Sequence, residues 1–341
     1  MSKFSTLLIT RKKTSGFHSI ERLIVSLSKG LLRKKIKNEV INLPRANNGF
    51  RNKLLNIIYV IKINKNKNEI LHFFGDCLYA ASFAPLKAKI IITFHDLNFF
   101  ECENKIKKFF LFVFSIYLPS IRANKIHCIS SKTAMDLFRI LPSTEKKISV
   151  IPNIFTHVKE NNKKNNISNI HNFLFLGSKP NKNLKRTILA LNSVAKYKKI
   201  NLTLVAIRNK YVDNCLKYAK FSFEVLSDIS DKKLCEVYNN THFLLFPSLS
   251  EGFGLPILEA QSLGIPLITS NLAPMSSVCG LPEICVNPLS IEDIKKKILE
   301  IMESPELIQK SIRHGLLNYR TYSEEEIIPR FRNLYLELSR L

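Results

Sequence analysis

The 341-residue sequence has few acidic residues, no cysteine pairs and no long apolar runs, and each shortage excludes a class of protein. The seven scattered cysteines form no CxxC pair, which argues against a zinc site or disulfide framework and for a reducing compartment. No stretch reaches the roughly 18 apolar residues of a transmembrane helix. The opening MSKFSTLLITRKK has too short an apolar stretch for a signal peptide and is predicted to form a strand. We therefore expect a cytoplasmic protein.

The shortage of acidic residues leaves 27 Asp and Glu against 52 Lys and Arg, a net charge of +25. Residues 1–152 carry 27 basic and 9 acidic residues, a net of +18, whereas residues 153–341 carry a net of +7. This excess favours peripheral contact of the first half with an anionic membrane, although a Lys- and Asn-rich composition alone also explains it. Nucleic acid is not expected, because zinc-finger, helix-turn-helix and basic-aromatic RNA patterns are absent.

Length and alternation predict two α/β domains. A chain of this size suits two domains of about 150 residues, and short β-rich runs alternate with helical stretches, as in parallel α/β folds. The predicted strands are Phe4–Thr10, Lys37–Leu43, Ile70–Phe74, Ile90–His95, Lys125–Ser130, Ile148–Pro152, Phe173–Gly177, Leu202–Ile207, Ser222–Leu226, His242–Phe246, Pro266–Ser270 and Ile284–Val286. Two doubly wound units would place a ligand crevice between them, at the carboxyl ends of their strands.

The predicted boundaries follow from composition. Residues 1–152 form a first Rossmann-like domain, and residues 172–320 form a second one. Between them, residues 153–171 are rich in Asn and Lys without periodicity, which is typical of a linker or exposed loop. Residues 321–341 contain an amphipathic helix.

The segment Phe109–Leu118 (FFLFVFSIYL) is strongly apolar and flanked by lysines. At about ten residues it is too short to span a bilayer. Two interpretations stay open: a helix buried in the core, or an interfacial helix that inserts Phe side chains near lipid while lysines meet the head groups.

Two glutamates eight positions apart, Glu251 and Glu259, mark the most informative segment, which follows the predicted strand His242–Phe246. Gly252 and Gly254 permit a tight turn and close approach of a ligand to the backbone. The free N–H groups of the following helix form an anion site suited to a pyrophosphate. Two carboxylates beside such a helix suggest a ligand with hydroxyls as well as phosphates, such as a nucleotide sugar.

This segment, EGFGLPILEA, resembles the donor site of retaining GT-B glycosyltransferases of family 4, whose signature is E-x7-E. The resemblance implies that Glu259 accepts hydrogen bonds from ribose hydroxyls and that Glu251 holds sugar hydroxyls. Backbone groups of Gly252, Phe253, Gly254 and Leu255 would line the donor diphosphate.

A second element of the same family is G-x-x-x-x-K-N, matched by Gly177 and Lys182 after the strand Phe173–Gly177. The resemblance places Lys182 on the donor diphosphate. Lys179 is the nearest match to a further basic residue that the family places on phosphate.

In the first half, ITFHDL ends a predicted strand and resembles the family's T-x-H-D-L element. The histidine of that element approaches the transferred sugar, so His95 is a candidate to donate to it, with Asp96 fixing its orientation. Relatives have a Gly-rich loop after the first strand, where this chain has only Gly16. One departure is Ser277, which stands where many relatives have a glutamate.

The resemblance implies a retaining glycosyltransferase that moves a sugar from a nucleotide-diphosphate donor to a glycan or lipid-linked acceptor in bacterial surface-polysaccharide synthesis. It also implies that the C-terminal helix of residues 321–341 packs back on the first domain. We expect no metal and no cofactor beyond the donor, because no DxD-type acidic pair is well placed. The alternatives are another GT-B activity, epimerase- or phosphorylase-like, and a non-catalytic sugar-nucleotide-binding subunit.

Overall fold

The computed structural model describes residues 4–12, 19–47, 49–63, 69–97, 104–156 and 170–340. The chain divides into two compact units: unit 1 is residues 1–156 with 322–341, and unit 2 is residues 157–321. Residues 157–169 of the predicted linker lie outside the described residues. Within the described ranges, no helix is both long and apolar enough to cross a membrane.

Unit 1 is built on a six-stranded parallel sheet. Its strands are β1 (Ser5–Thr10), β2 (Lys37–Asn42), β3 (Glu69–Phe74), β4 (Lys89–Phe94), β5 (Lys125–Cys128) and β6 (Ile148–Val150). They lie in the order β2-β1-β3-β4-β5-β6. Strand order therefore reverses between β1 and β3, the place where doubly wound sheets form a crevice at their carboxyl edge.

Helices cover both faces of this sheet. They are α1 (Ser19–Arg33), α2 (Phe50–Ile63), α3 (Lys105–Leu111), α4 (Leu118–Arg122) and α5 (Ser131–Ile140), with a π-helical turn at Phe112–Tyr117 and a 3-10 segment at Gly75–Phe83. The last helix of the chain, α13 (Glu324–Arg340), packs beside α1 on one face. The close approach depends on Gly30, where a Cβ would lie 2.4 Å from Cδ1 of Ile328.

Beneath α13, a chain of buried hydrogen bonds crosses three strands. His72 Nδ1 lies 2.7 Å from the Tyr335 hydroxyl, and its Nε2 lies 2.7 Å from Thr93 Oγ1. The chain continues from Thr93 to His127 Nδ1 at 2.9 Å, and His127 Nε2 donates to the Ile151 carbonyl at 2.7 Å. Burial lowers the pKa of His127 to about 4 and that of His72 well below its usual range, so both rings are neutral. Both ring nitrogens of His72 and both ring nitrogens of His127 therefore have a hydrogen-bond partner.

Unit 2 holds a second six-stranded parallel sheet. Its strands are β7 (His171–Leu176), β8 (Ile200–Val205), β9 (Ser222–Leu226), β10 (Phe243–Phe246), β11 (Leu267–Ser270) and β12 (Cys285–Val286). The order β12-β11-β10-β7-β8-β9 reverses between β7 and β10, as in a Rossmann fold. The covering helices are α6 (Leu184–Val194), α7 (Lys210–Leu216), α8 (Asp231–Asn239), α9 (Leu255–Ser262), α10 (Met275–Cys279), α11 (Ile291–Glu303) and α12 (Pro305–Asn318).

The two doubly wound parallel α/β units confirm the predicted fold class, and each of the twelve predicted strands matches an observed strand to within two residues at either end. The interpretation of Phe109–Leu118 as a helix buried in the core is wrong. Residues 104–110 are all exposed, and Ile116 is the one buried side chain of the π-helical turn. The segment Phe109–Leu118 has more apolar side chains than can face the sheet. The other apolar side chains are therefore exposed on the surface of unit 1.

Candidate functional site

The predicted donor-site residues of unit 2 gather at its switch point. The loop after β7 contains Gly177 and Lys182, and the loop after β10 contains Glu251 and Gly254. Because β7 and β10 are hydrogen-bonded neighbours, their carboxyl ends bring the two loops together. The sheet topology thus unites two motifs that are about 70 residues apart in sequence.

Hydrogen bonds between the two loops fix their spacing. The carbonyl of Asn181 accepts from the Leu249 amide at 2.7 Å, and the Asn181 side chain donates to the Ser250 carbonyl at 2.8 Å. The neighbouring Asn183 donates to the carbonyls of Pro247 and Pro288, at 3.1 and 2.6 Å. These bonds hold the side chains on the two loops in register before any ligand binds.

Lys182 and Glu251 form an ion pair across the loops. Lys182 Nζ lies 2.7 Å from Glu251 Oε1 and 4.9 Å from the centroid of the Phe246 ring. Both side chains are partly buried, with 21% and 14% of their surface exposed. The ammonium and the carboxylate therefore satisfy each other at a site where a ligand could still reach both.

Gly177 makes room for the lysine. Its φ of +114° is a conformation that side chains rarely adopt, and a Cβ there would lie 2.8 Å from Lys182 Cγ. The aliphatic stem of Lys182 therefore runs directly over this glycine. Lys179 precedes the short 3-10 turn Pro180–Lys182 and is exposed.

Glu259 lies one turn inside α9 and is held by a tyrosine. Oε2 of Glu259 accepts from the Tyr238 hydroxyl at 2.6 Å. Tyr238 is fully buried, and burial together with the Glu259 carboxylate holds the pKa of Tyr238 well above its usual range. The phenol is therefore the donor, and it fixes one oxygen of the carboxylate.

The start of α9 has the geometry of an anion site. Gly254 is the N-cap with a φ of +116° and no side chain to cap the helix, and Leu255 is the first helical residue. Gly252 and Phe253 form the turn before it, with Phe253 buried. Buried in the same loop, Ser248 Oγ has no hydrogen-bond partner among the described residues. Uncapped N–H groups at a helix start attract phosphate oxygens.

Sequence reasoning missed Tyr238 and Asn183. Tyr238 lies in α8, ahead of β10, and no spacing in the sequence connects it with Glu259. Asn183 follows Lys182 directly in the matched K-N element and is 2% exposed with a φ of 69°. Asparagine tolerates this left-handed conformation better than most residues, which is the signal that would have identified it.

In unit 1, His95 follows β4. Its Nε2 is buried without a hydrogen-bond partner among the described residues. Burial lowers the pKa of His95 to about 3, with further contributions from His127 and Arg11, so the ring is a neutral hydrogen-bonding group. Asp96 follows it, half-buried. The predicted Gly16 lies outside the described residues.

Residues 156–315 match the family model described as glycosyl transferases group 1. The match spans almost all of unit 2, including both loops of the candidate site. It therefore covers the region in which the structure pairs Lys182 with Glu251 and Tyr238 with Glu259.

Two curated relatives and one solved structure extend the comparison. O-antigen chain mannosyltransferase B of Escherichia coli is 30% identical over 110 residues, covering 32% of this chain and 29% of the relative. O-antigen chain mannosyltransferase RfbU of Salmonella typhimurium is 26% identical over 241 residues, covering 66% of this chain and 64% of the relative. The aligned part is thus less than two thirds of either relative's length.

The solved structure is HepE from Anabaena in complex with UDP and glucose, at a TM-score of 0.76 and 14% identity, covering 97% of this chain and 99% of that one. Similarity at this identity shows the fold, which is GT-B.

Proposed function

We propose that the chain is a retaining glycosyltransferase that uses a nucleotide-diphosphate sugar, and the match of residues 156–315 to the glycosyl transferases group 1 model supports this proposal. The observation that carries this proposal is the Lys182–Glu251 ion pair at the β7/β10 switch point, with the uncapped start of α9 beside it. A cation, a carboxylate and a helix start without a side-chain cap suit a ligand that has both phosphates and hydroxyls.

In the proposed reaction, Lys182 and the amides around Gly254 and Leu255 bind the diphosphate. Negative charge grows on that group as the bond to the sugar breaks, so preset donors stabilise the transition state. Lys182 exchanges its bond to Glu251 for one to phosphate, which frees Glu251 to accept hydrogen bonds from sugar hydroxyls.

Glu259 binds the ribose in this scheme. Tyr238 holds Oε2 of Glu259, which orients the carboxylate for a pair of vicinal hydroxyls. In unit 1, His95 supplies a neutral N–H or nitrogen lone pair to the transferred sugar. Because its Nε2 is buried without a partner among the residues that the structure describes, a ligand hydroxyl would satisfy it.

We further propose a lipid-linked or glycan acceptor, a cytoplasmic location with peripheral contact to an anionic membrane, and metal independence. The two named relatives are O-antigen chain mannosyltransferases. A mannosyl donor is therefore the first to test, and UDP-glucose is the second, since the solved relative contains UDP and glucose.

The test begins with thermal unfolding in the presence of UDP, GDP or their sugars, because a ligand that binds the folded state raises the unfolding temperature. The stabilising donor, labelled in its sugar, is then incubated with a bacterial lipid-linked oligosaccharide fraction, with and without a chelator. Wild type should transfer label in both conditions, and Glu251→Ala should bind nucleotide but transfer nothing. Unchanged transfer by Glu251→Ala would contradict the proposed role. Nucleotide binding without transfer by wild type would favour a binding subunit.

A further inference from the structure

Unit 1 carries an extended apolar surface, made by the outward side chains of α2 and of the segment Lys105–Arg122. The most exposed members are Phe50 at 84%, Ile106 at 71%, Phe109 at 63% and Phe110 at 54%. The rings of Phe109 and Phe110 contact each other, with centroids 6.1 Å apart, instead of packing into the core. A surface of this kind on a globular protein marks an interaction site.

The two parts of this apolar surface belong to one side of unit 1. Val60 of α2 and Ile116 of the π-helical turn both lie in the core cluster on the sheet face opposite α1. Each element therefore anchors an inner side chain and turns its remaining apolar residues outward. Between them lies the 3-10 segment Gly75–Phe83, which packs against both α2 and α4. Phe83 and the nearby Leu86 are themselves exposed.

The charged residues of the two elements that make the apolar surface are all basic, whereas Asp76 in the 3-10 segment between them is an exposed acidic residue. Phe50–Ile63 and Lys105–Arg122 contain no Asp or Glu. Their exposed basic residues are Arg51, Lys53, Lys62, Lys105, Lys107 and Lys108. Long basic side chains beside apolar residues can bury their stems in an interface while the charged ends stay with head groups.

We propose that this apolar surface docks unit 1 on an anionic lipid bilayer, with Phe109, Phe110, Ile106 and Phe50 entering the head-group and outer acyl region. The inference rests on the membrane contact included in the proposed function, and it names the surface and the physical forces. A second copy of the chain is a poor occupant, because two such surfaces would bring their basic residues face to face. An anionic bilayer complements both the apolar side chains and the positive charge.

The experiment is sedimentation of the full chain with vesicles of phosphatidylglycerol and phosphatidylcholine, compared with pure phosphatidylcholine vesicles. Wild type should bind the anionic vesicles, and binding should weaken as salt is raised. Phe109→Ser with Phe110→Ser should lower the partition coefficient at least tenfold, because two aromatic side chains no longer leave water. Replacing Lys105, Lys107 and Lys108 with Gln should lower it by about fivefold for each charge.

Matched controls lie in unit 2. Tyr197→Ser with Ile207→Ser removes two apolar side chains of similar exposure, 72% and 73%. Lys217, Lys220 and Lys232 are exposed and supply a triple Gln control for charge. Both controls should bind vesicles as wild type does. All four variants change exposed residues, so their unfolding temperatures should match that of wild type.

Three outcomes would overturn the inference: no binding to anionic vesicles, equal binding to neutral ones, or equal losses in variants and controls. A Phe109/Phe110 variant that turns a wild-type dimer into a monomer without lipid would assign the surface to self-association instead. Nucleotide-induced stabilisation, measured on the same preparations, tests the donor site separately. Failure of vesicle binding with nucleotide binding intact therefore counts against membrane docking and leaves the proposed donor site and transfer reaction standing.

Discussion

The two units share one architecture, yet their paired polar side chains lie in different places. In unit 2, Lys182, Glu251 and Glu259 lie at the carboxyl ends of the strands, and each is partnered by a side chain that a ligand could displace or share. In unit 1, His72 and His127 lie beneath α13, where burial excludes water and ligand. A polar pair at a strand end can serve binding, whereas a pair under a helix serves the fold.

The histidines of unit 1 sharpen this distinction. His72, His95 and His127 all have lowered pKa values caused mainly by burial. His72 and His127 have partners on both ring nitrogens, whereas Nε2 of His95 has none among the described residues. The unsatisfied nitrogen, more than the lowered pKa, distinguishes the candidate ligand contact from the structural residues.

The largest expected effect is that unit 1 unfolds before unit 2 when the pH is lowered. Below pH 6.5 the unfolded chain protonates these three histidines while the folded chain does not, so stability falls as pH drops. The fall continues to about pH 4 for His127 and about pH 3 for His95. At pH 5, His127 and His95 each destabilise the folded state by about 2 kcal/mol. Hydrogen exchange at pH 7 and pH 5 should show unit 1 opening before unit 2.

A variant checks the cause. His127→Gln removes one titrating group, so it should be less stable at pH 7 but show a shallower decline between pH 6.5 and 4. An unchanged slope would mean that other groups govern the acid sensitivity.

The next largest effect is expected on the rate of sugar transfer, which depends on the candidate site of unit 2. Lys182→Gln removes the cation proposed to stabilise the departing diphosphate, so the transfer rate should fall about 100- to 1,000-fold. Lys185→Gln, which changes an exposed lysine three residues on, is the control and should transfer at the wild-type rate. The rate is measured with the donor found in the nucleotide screen, and near-wild-type transfer by Lys182→Gln would remove Lys182 from the site.

Smaller effects are expected from replacing two fully buried tyrosines, one in each unit. Tyr335→Phe leaves His72 Nδ1 without its donor and should destabilise unit 1 by about 1–3 kcal/mol in urea unfolding. Nucleotide affinity should not change. Tyr238→Phe frees one oxygen of Glu259 and should weaken nucleotide affinity about fivefold. If both variants change only stability, Tyr238 has no positioning role.

Much of the fold could be predicted from sequence, because buried parallel strands are mainly apolar runs such as Ile90–Phe94 and Phe243–Phe246. The two loops of the candidate site were also identified, since each follows such a strand and has its own glycine and charged residue. The pairing of Lys182 with Glu251 needed the sheet order, which places β7 next to β10.

Other features depend on tertiary contacts that leave no local pattern. Tyr238 and Glu259 are 21 positions apart on different helices, and Tyr335 reaches His72 across 263 positions. The exposure of Phe109 and Phe110 could not be predicted either, because an apolar run has the same sequence pattern whether its side chains face the sheet or solvent. In each case, sequence gives the residue type and packing decides its surroundings.

The central claim is that Lys182 and Glu251 pair with each other only until a diphosphate arrives. Calorimetric titration of the bare nucleoside diphosphate into wild type, Lys182→Gln and Glu251→Gln tests it most directly. Lys182→Gln should weaken binding, whereas Glu251→Gln, which releases the lysine from its partner, should bind as tightly as wild type or more tightly. Equal weakening in both variants would mean that the pair is only a structural link between the two loops and would contradict the proposed role of Lys182.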